Sequence, residues 1–414
     1  MARRGGLALA ACAAGLLLTA PAVQAAPHIP RTPPGLPGPR PGCPSQPGVA
    51  APAAEPWAQQ ALRFSAVWDR TKGAGVTVAI VDSGVDANPQ FGDRVIPGPD
   101  LVAGTKRGIP PGADCVGHGT AVASIIAAAP MPGVSFTGVA PAARILSVKI
   151  SGTDTFPTSV TPQGIMDAVQ FGADVINLSL ATPDDVPALR NAVEYALRHN
   201  VVVVAAAGND LPHDSTGPFY PAAYPGVLAV GAVEPGGVLA PFSDRHTPVG
   251  VTAPGVNVTT AYPGTFPAAY DPAQNGTSFA AAFVSGVVAL VRSAHPGLNA
   301  GQVVARIEAT AHGATGPGTG HGLVDPVRAV TAVLPAEQPR AEQTARAAPS
   351  GGSARTVTLA AIAGAFGLLV VVLTTVLVIR RRQRARPSGP PGGPPGGPPT
   401  GTAGPDGTSG WYAG

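Results

Sequence analysis

The sequence predicts an α/β protein: three layers around a central, mostly parallel β-sheet, plus a single C-terminal transmembrane helix. Near-continuous apolar runs of strand length stand at 76–82 (VTVAIVD), 144–150 (RILSVKI), 173–179 (ADVINLS), 201–207 (VVVVAAA) and 227–233 (VLAVGAV). Strands that are apolar at successive positions are buried on both faces, as in parallel sheets. Segments of helix length separate them at about 119–129, 161–171 and 186–199, and two more follow at 279–294 and 300–311. This alternation is the pattern of a sheet covered by crossover helices. The third observation is the uncharged run 356–379 (TVTLAAIAGAFGLLVVVLTTVLVI). Its twenty-four residues span about 36 Å as a helix, against about 30 Å of bilayer hydrocarbon.

The ends frame that body. Arg3 and Arg4 precede an apolar stretch at 7–20, and Val23-Gln24-Ala25 sets small residues before a cleavage point, so residues 1–25 read as a secretion signal. A retained anchor and lipidation at Cys12 are the alternatives; the apolar run continues well past Cys12, which sets it early for lipidation. Residues 26–56 are crowded with proline and read as an extended arm, because proline lacks the N–H that helices and sheets need. The globular body is expected at 57–334, a small and polar linker at 335–355, the membrane helix at 356–379 and a Gly/Pro-rich disordered tail at 380–414. RRRQRAR directly follows the apolar run and places the C-terminus in the cytoplasm and the body outside it.

Composition narrows the function. Hydrophobic residues are 45% of the chain and charged ones 12%, which supports a large core. The net charge of +3 comes from the arginines at 380–386; the rest of the chain is mildly acidic, which excludes a nucleic-acid footprint. With Cys12 in the signal, Cys43 and Cys115 remain, and in an oxidising compartment a disulfide is expected over two separate thiols. Closing a loop of about seventy residues is worth roughly 4 kcal/mol in the chain-entropy treatment, and it would tie the arm beside His118. No CxxC or HExxH spacing occurs, so neither a metal nor another cofactor is expected.

Three motifs carry chemistry. AIVDSGVD ends the first strand with Asp82, GHGTAVASII opens a helix with His118, and NGTSFAAAFVSG opens another with Ser278. Reactive groups of open α/β sheets collect at strand C-termini and helix N-termini. A serine hydroxyl needs a neutral imidazole to take its proton, and a carboxylate fixes that imidazole's tautomer and stabilises its cation. Asp86 reads as a turn-capping residue, and the remaining histidines of the body match no motif.

In these motifs, from about Trp57 to Val330, the chain resembles the subtilase family of serine proteases. The resemblance implies that Asp82 orients, that His118 is base and then acid, and that Ser278 is the nucleophile. It implies that Asn209, in VVVVAAAGND, supplies an oxyanion donor. It also implies that Ser179-Leu180-Ala181 and Ala206-Ala207-Gly208 line a cleft for a protein or peptide substrate. Two features depart from the family: Ala282 stands where many members have proline, and the thirty-odd residues of the arm are too few for an inhibitory pro-domain. Signal, arm, protease body, linker and single anchor, with PWAQQALRFSAVWDRTKGAGVTVAIVDSGVD and RVIPGPDLV, resemble the mycosins of type VII secretion systems. That likeness implies association with a membrane secretion complex and fits a Cys43–Cys115 bridge; a second bridge found in some mycosins has no cysteines here. A structural part in the complex and a general surface protease are the other readings.

Overall fold

A computed structural model describes residues 43, 50–102, 112–153, 155–210, 216–263, 270–337, 372–378 and 380–381. Nine strands are defined among the described residues: β1 (Thr77–Asp82), β2 (Val95–Asp100), β3 (Arg144–Lys149), β4 (Val175–Leu178), β5 (Val202–Ala206), β6 (Leu228–Val233), β7 (Val251–Pro254), β8 (Val258–Ala261) and β9 (Tyr270–Gln274). The first seven form one sheet in the order β2-β3-β1-β4-β5-β6-β7, and every pairing in it is parallel. β8 and β9 make a separate antiparallel hairpin. The helices are α1 (Trp57–Leu62), α2 (His118–Ala127), α3 (Thr161–Gln170), α4 (Pro187–Arg198), α5 (Thr277–Ala294), α6 (Ala300–Thr310) and α7 (Pro326–Thr331).

The three layers follow from strand alternation. In β1 the side chains of Val78 and Ile80 join a core with α2 and α5, whereas Ala79 and Val81 join a second core with α3 and α4. Successive side chains of a strand point to opposite faces, so an all-apolar strand must be covered twice. α5 is 18 residues long and apolar enough to cross a bilayer, yet 78% of it is buried inside the body, which makes it the central helix of the first core.

All five predicted strands and all five predicted helices are present, with ends shifted by one or two residues. The sheet has two further strands, β2 and β7, one at each edge. β2 reads VIPGPD and β7 ends on Pro254; proline is tolerated at edges, where a missing donor breaks no central ladder.

The arm is described at Cys43 and at 50–56, which form no helix or strand. Cys43 and Cys115 are joined in a disulfide, with Cα atoms 5.0 Å apart across 72 residues of sequence. Ala51 packs beside Phe136 and Tyr270, and the Ala53 carbonyl accepts the Ser135 hydroxyl at 2.9 Å. At the other end the body runs into the expected linker. The fully buried Arg306 side chain donates to the carbonyls of Ala329 and Ala332 and pairs with Glu337.

The chain divides into two compact units, Met1–Gln338 and Pro339–Gly414. In the second, residues 372–378 of the expected membrane segment are helical, and Val372, Leu373, Val376, Leu377 and Val378 are exposed. The rest of that segment, the signal 1–25 and nearly all of the tail lie outside the described residues.

Candidate active site

β1 delivers Asp82 at its carboxyl end, with no exposed surface. His118 is the first residue of α2, and its Nδ1 lies 2.8 Å from Asp82 Oδ1 and 3.0 Å from Oδ2. A Cβ on Gly119 would stand 2.1 Å from the Gly84 carbonyl oxygen and 3.2 Å from Asp82 Oδ1, so only glycine lets α2 approach the strand end this closely.

A second buried carboxylate holds this helix start. Asp114 accepts the Ser83 hydroxyl at 2.8 Å, the Gly117 N–H at 2.7 Å, and the Thr120 N–H and hydroxyl at 2.8 and 2.7 Å. Helix N-termini carry donors without intrahelical partners, and a carboxylate there satisfies them and complements the dipole. Asp86 accepts the Asp114 N–H at 2.8 Å across 28 residues of sequence, so it ties two loops together, which the expected turn cap would not do. Behind the loop, the buried Lys149 ammonium donates to the carbonyls of Ser83 and Ala113.

The His118 ring sits between Phe156 and Phe279, with centroids 5.7 and 5.6 Å away. Burial pushes its pKa down. The charge and hydrogen bond of Asp82, joined by the charge of Asp114, outweigh that and raise it above the ordinary imidazole value.

Ser278 stands in the first turn of α5 and lines the same cleft, of about 380 Å³, as His118 and Asn209. Its Oγ donates to the Ser179 carbonyl at 3.0 Å and not to the imidazole, so the serine–histidine contact of the expected triad is not formed in this rotamer. Below it runs a buried polar chain: Ser179 Oγ donates to the Ser278 carbonyl at 3.0 Å, Asn177 Nδ2 to Ser179 Oγ at 2.7 Å, and Ser285 Oγ to Asn177 Oδ1 at 2.8 Å. This chain clamps α5 to the end of β4.

The orientation of the Asn209 amide follows from its partners. The Thr277 N–H, which can only donate, and the Thr277 hydroxyl reach one Asn209 atom at 3.0 and 2.9 Å; that atom must be Oδ1. Nδ2 is left as a donor, 3.4 Å from where a Cβ on Gly276 would stand, and Asn209 lines the same cleft as Ser278, whose N–H by position has no intrahelical acceptor. Asn209→Ala is therefore expected to lower kcat by about 10²–10³ with little change in KM, the usual worth of one such donor, as steady-state peptide hydrolysis would measure.

Ser179, Leu180, Ala181, Ala206 and Gly208 line the same cavity as His118 and Ser278. Ala207 does not. It is fully buried; its N–H donates to the Val230 carbonyl at 3.0 Å, and its carbonyl accepts the Thr247 hydroxyl at 2.9 Å. Phe156, Phe219, Thr277 and Phe279 also line the cleft; Thr277 and Phe279 lie within the Ser278 motif and Phe219 opens the segment FYPAAYPGVLAVGAV, whereas Phe156 carried no sequence signal.

Beside Asn209, Asp210, Asp244 and His246 bring ligand-type atoms within 4.8 Å of one another. The Asp244 carboxylate accepts the N–H groups of His246 and Thr247 and lies 3.2 Å from His246 Nδ1, so it organises its own loop.

A carboxylate–imidazole pair and a serine in one cleft, at strand and helix ends of a parallel sheet, define a serine protease. The chain belongs to the Subtilase family (Peptidase S8), which matches residues 73–344. Mycosin-3 of Mycobacterium tuberculosis is 35% identical over 406 aligned residues, covering 82% of this chain and 86% of that protein. The crystal structure of MycP1 from Mycobacterium smegmatis superposes with a TM-score of 0.62 at 32% identity, covering 72% of this chain and 91% of that one. The structure of the periplasmic assembly from the ESX-5 inner membrane complex contains a similar chain: TM-score 0.57, 31% identity, 69% of this chain and 87% of that one.

Proposed function

We propose that this chain is a membrane-anchored, extracytoplasmic serine endopeptidase that works with a type VII secretion system. The observation that carries the chemistry is the Asp82–His118 pair beside Ser278 in one cleft. Rotation about χ1 of Ser278 releases its hydroxyl from the Ser179 carbonyl, and the freed carbonyl can then accept an N–H of an extended substrate pairing along 179–181. Catalytic hydrogen bonds commonly tighten only when substrate is bound.

Ser278 Oγ then attacks the scissile carbonyl carbon while His118 Nε2 takes its proton. Asp82 holds the proton on Nδ1 and balances the imidazolium. Asn209 Nδ2 and the Ser278 N–H hold the oxyanion. Collapse transfers the His118 proton to the leaving amine and leaves an acyl-enzyme. A water molecule, deprotonated by His118, repeats the sequence and frees the acid.

The location rests on the apolar run 356–379 with its arginines, on the signal at 1–25, and on the mycosin relatives. In this reading the boundaries are 26–56 for the arm, 57–334 for the protease body, 335–355 for the linker and 380–414 for a cytoplasmic tail. Membranes solubilised in mild detergent and purified through a C-terminal tag are expected to yield the full chain together with membrane components of the secretion machinery. Recovery of the chain alone, from the soluble fraction, would overturn the location and the association. A similar chain within an inner-membrane assembly also favours a structural part in that complex. Secretion that stops on deletion yet resumes with Ser278→Ala would assign the role to structure over catalysis.

A further inference from the structure

We infer that Lys149 is a positioning residue for the reaction: its buried ammonium locks together the two loops that carry Asp82 and Asp114. The inference rests on the Asp82–His118 pair as the base. Lys149 ends β3 as Asp82 ends β1, and the two are paired in register, so their side chains share the face of the sheet that α2 covers. Lys149 is only 3% exposed. Its Nζ donates to the Ser83 carbonyl at 3.0 Å and to the Ala113 carbonyl. Both acceptors are main-chain oxygens, and each belongs to the neighbour of a buried carboxylate. A buried ammonium is costly unless opposite charge compensates it, and Asp82 and Asp114 are the counter-charges of this network.

What the ammonium holds is the seat of the base. The Ser83 N–H donates to Asp82 Oδ1 at 2.7 Å, the oxygen that also lies 2.8 Å from His118 Nδ1. The Ser83 hydroxyl donates to Asp114 at 2.8 Å and accepts the Gly119 N–H at 3.0 Å. With its carbonyl on Lys149, every polar group of Ser83 is engaged. Asp114 in turn accepts the N–H groups of Gly117 and Thr120, on either side of His118. The loops also touch directly: a Cβ on Gly84 would stand 2.6 Å from the Gly112 carbonyl oxygen. Without the ammonium, two buried carbonyls lose a charged donor and two buried carboxylates lose their counter-charge. The loops then spread, and the carboxylate–imidazole geometry spreads with them.

The test uses the purified full chain and one fluorogenic peptide, with Lys149→Met, which keeps the apolar stem, and Lys149→Gln, which keeps a neutral donor. Lys149→Met is expected to lower kcat about 10²-fold while KM stays within about 3-fold, the usual effect of displacing a reacting group by about 1 Å. Lys149→Gln should fall between that and wild type. Arg94 is the control, a half-buried cation that donates to the carbonyls of Gln90, Ala127 and Ala143 and does not line the cleft. Arg94→Met should lower the melting temperature yet keep kcat of the folded fraction within about 2-fold. Wild-type kcat in Lys149→Met, or a change confined to KM, would overturn the inference. So would an equal loss of kcat in Arg94→Met, or failure of both Lys149 variants to fold, because either result gives the lysine to the fold at large. Labelling of Ser278 with diisopropyl fluorophosphate separates the two claims. A labelled wild type whose Lys149→Met variant is labelled equally fast loses only this inference, whereas a wild type that is inert and unlabelled loses the base and nucleophile as well.

Discussion

Ser278→Ala is expected to abolish peptide hydrolysis, with kcat down by about 10⁶, because nucleophile and base act as a unit and the residual rate comes only from binding and oxyanion stabilisation. The structure makes this a clean substitution. The lost hydroxyl makes one hydrogen bond, to the Ser179 carbonyl, and the neighbouring clamp through Ser179 Oγ, Asn177 and Ser285 uses the Ser278 backbone. Melting temperature and substrate KM should therefore stay close to wild type. Retention of a tenth of the activity by the alanine variant would remove Ser278 from the mechanism.

Asp82→Asn comes next, with an expected loss of about 10⁴ in kcat: an amide can hold the wrong imidazole tautomer and no longer balances its positive charge. The pH profile adds a signature that a merely damaged site would not show. In wild type, burial lowers the His118 pKa, but Asp82 and Asp114 raise it more, so it lies above the ordinary value of about 6.5. Since only neutral imidazole can act as base, activity should fall as pH drops through that raised value. Without the Asp82 carboxylate, burial prevails, and the acid limb of the residual activity should move to lower pH. Stability runs the opposite way with pH. The folded state binds this proton more tightly than the unfolded chain, so the pair contributes fully below about pH 6.5, and the contribution is lost as pH rises through the folded value. An acid limb at the same pH in both enzymes would contradict the pairing, and kcat against pH for the two proteins measures it.

The strands and the motif residues were legible for one reason: a strand buried on both faces leaves an unbroken apolar run, and its reactive residue sits at the end. β2 was not legible, because its two prolines and glycine read as loop, and only pairing with β3 makes it a strand. Nor was Asp114: a carboxylate that satisfies a helix start from four residues upstream has no spacing that distinguishes it from a solvent-facing turn. Ala207 is missing from the cleft lining because it is buried with both backbone groups engaged, by Val230 and Thr247, which the motif does not show. The contact of Phe219 with Gly208 was not legible, since it depends on how the chain after β5 returns across the sheet. The histidine–aspartate geometry could be anticipated from the sequence. The rotamer of Ser278 could not, because it depends on which acceptor lies nearer in the folded cleft.

The central claim is that Ser278 owes its reactivity to His118 and Asp82. Its most direct measurement is the rate of covalent modification by diisopropyl fluorophosphate, with the modified peptide identified by mass spectrometry, in wild type, His118→Ala and heat-denatured protein. The account predicts a single adduct on Ser278, formed at a rate that rises with pH as His118 loses its proton, and slowed by orders of magnitude in the variant and after denaturation. An adduct on another serine, or one on Ser278 that forms equally fast without the imidazole, would contradict it.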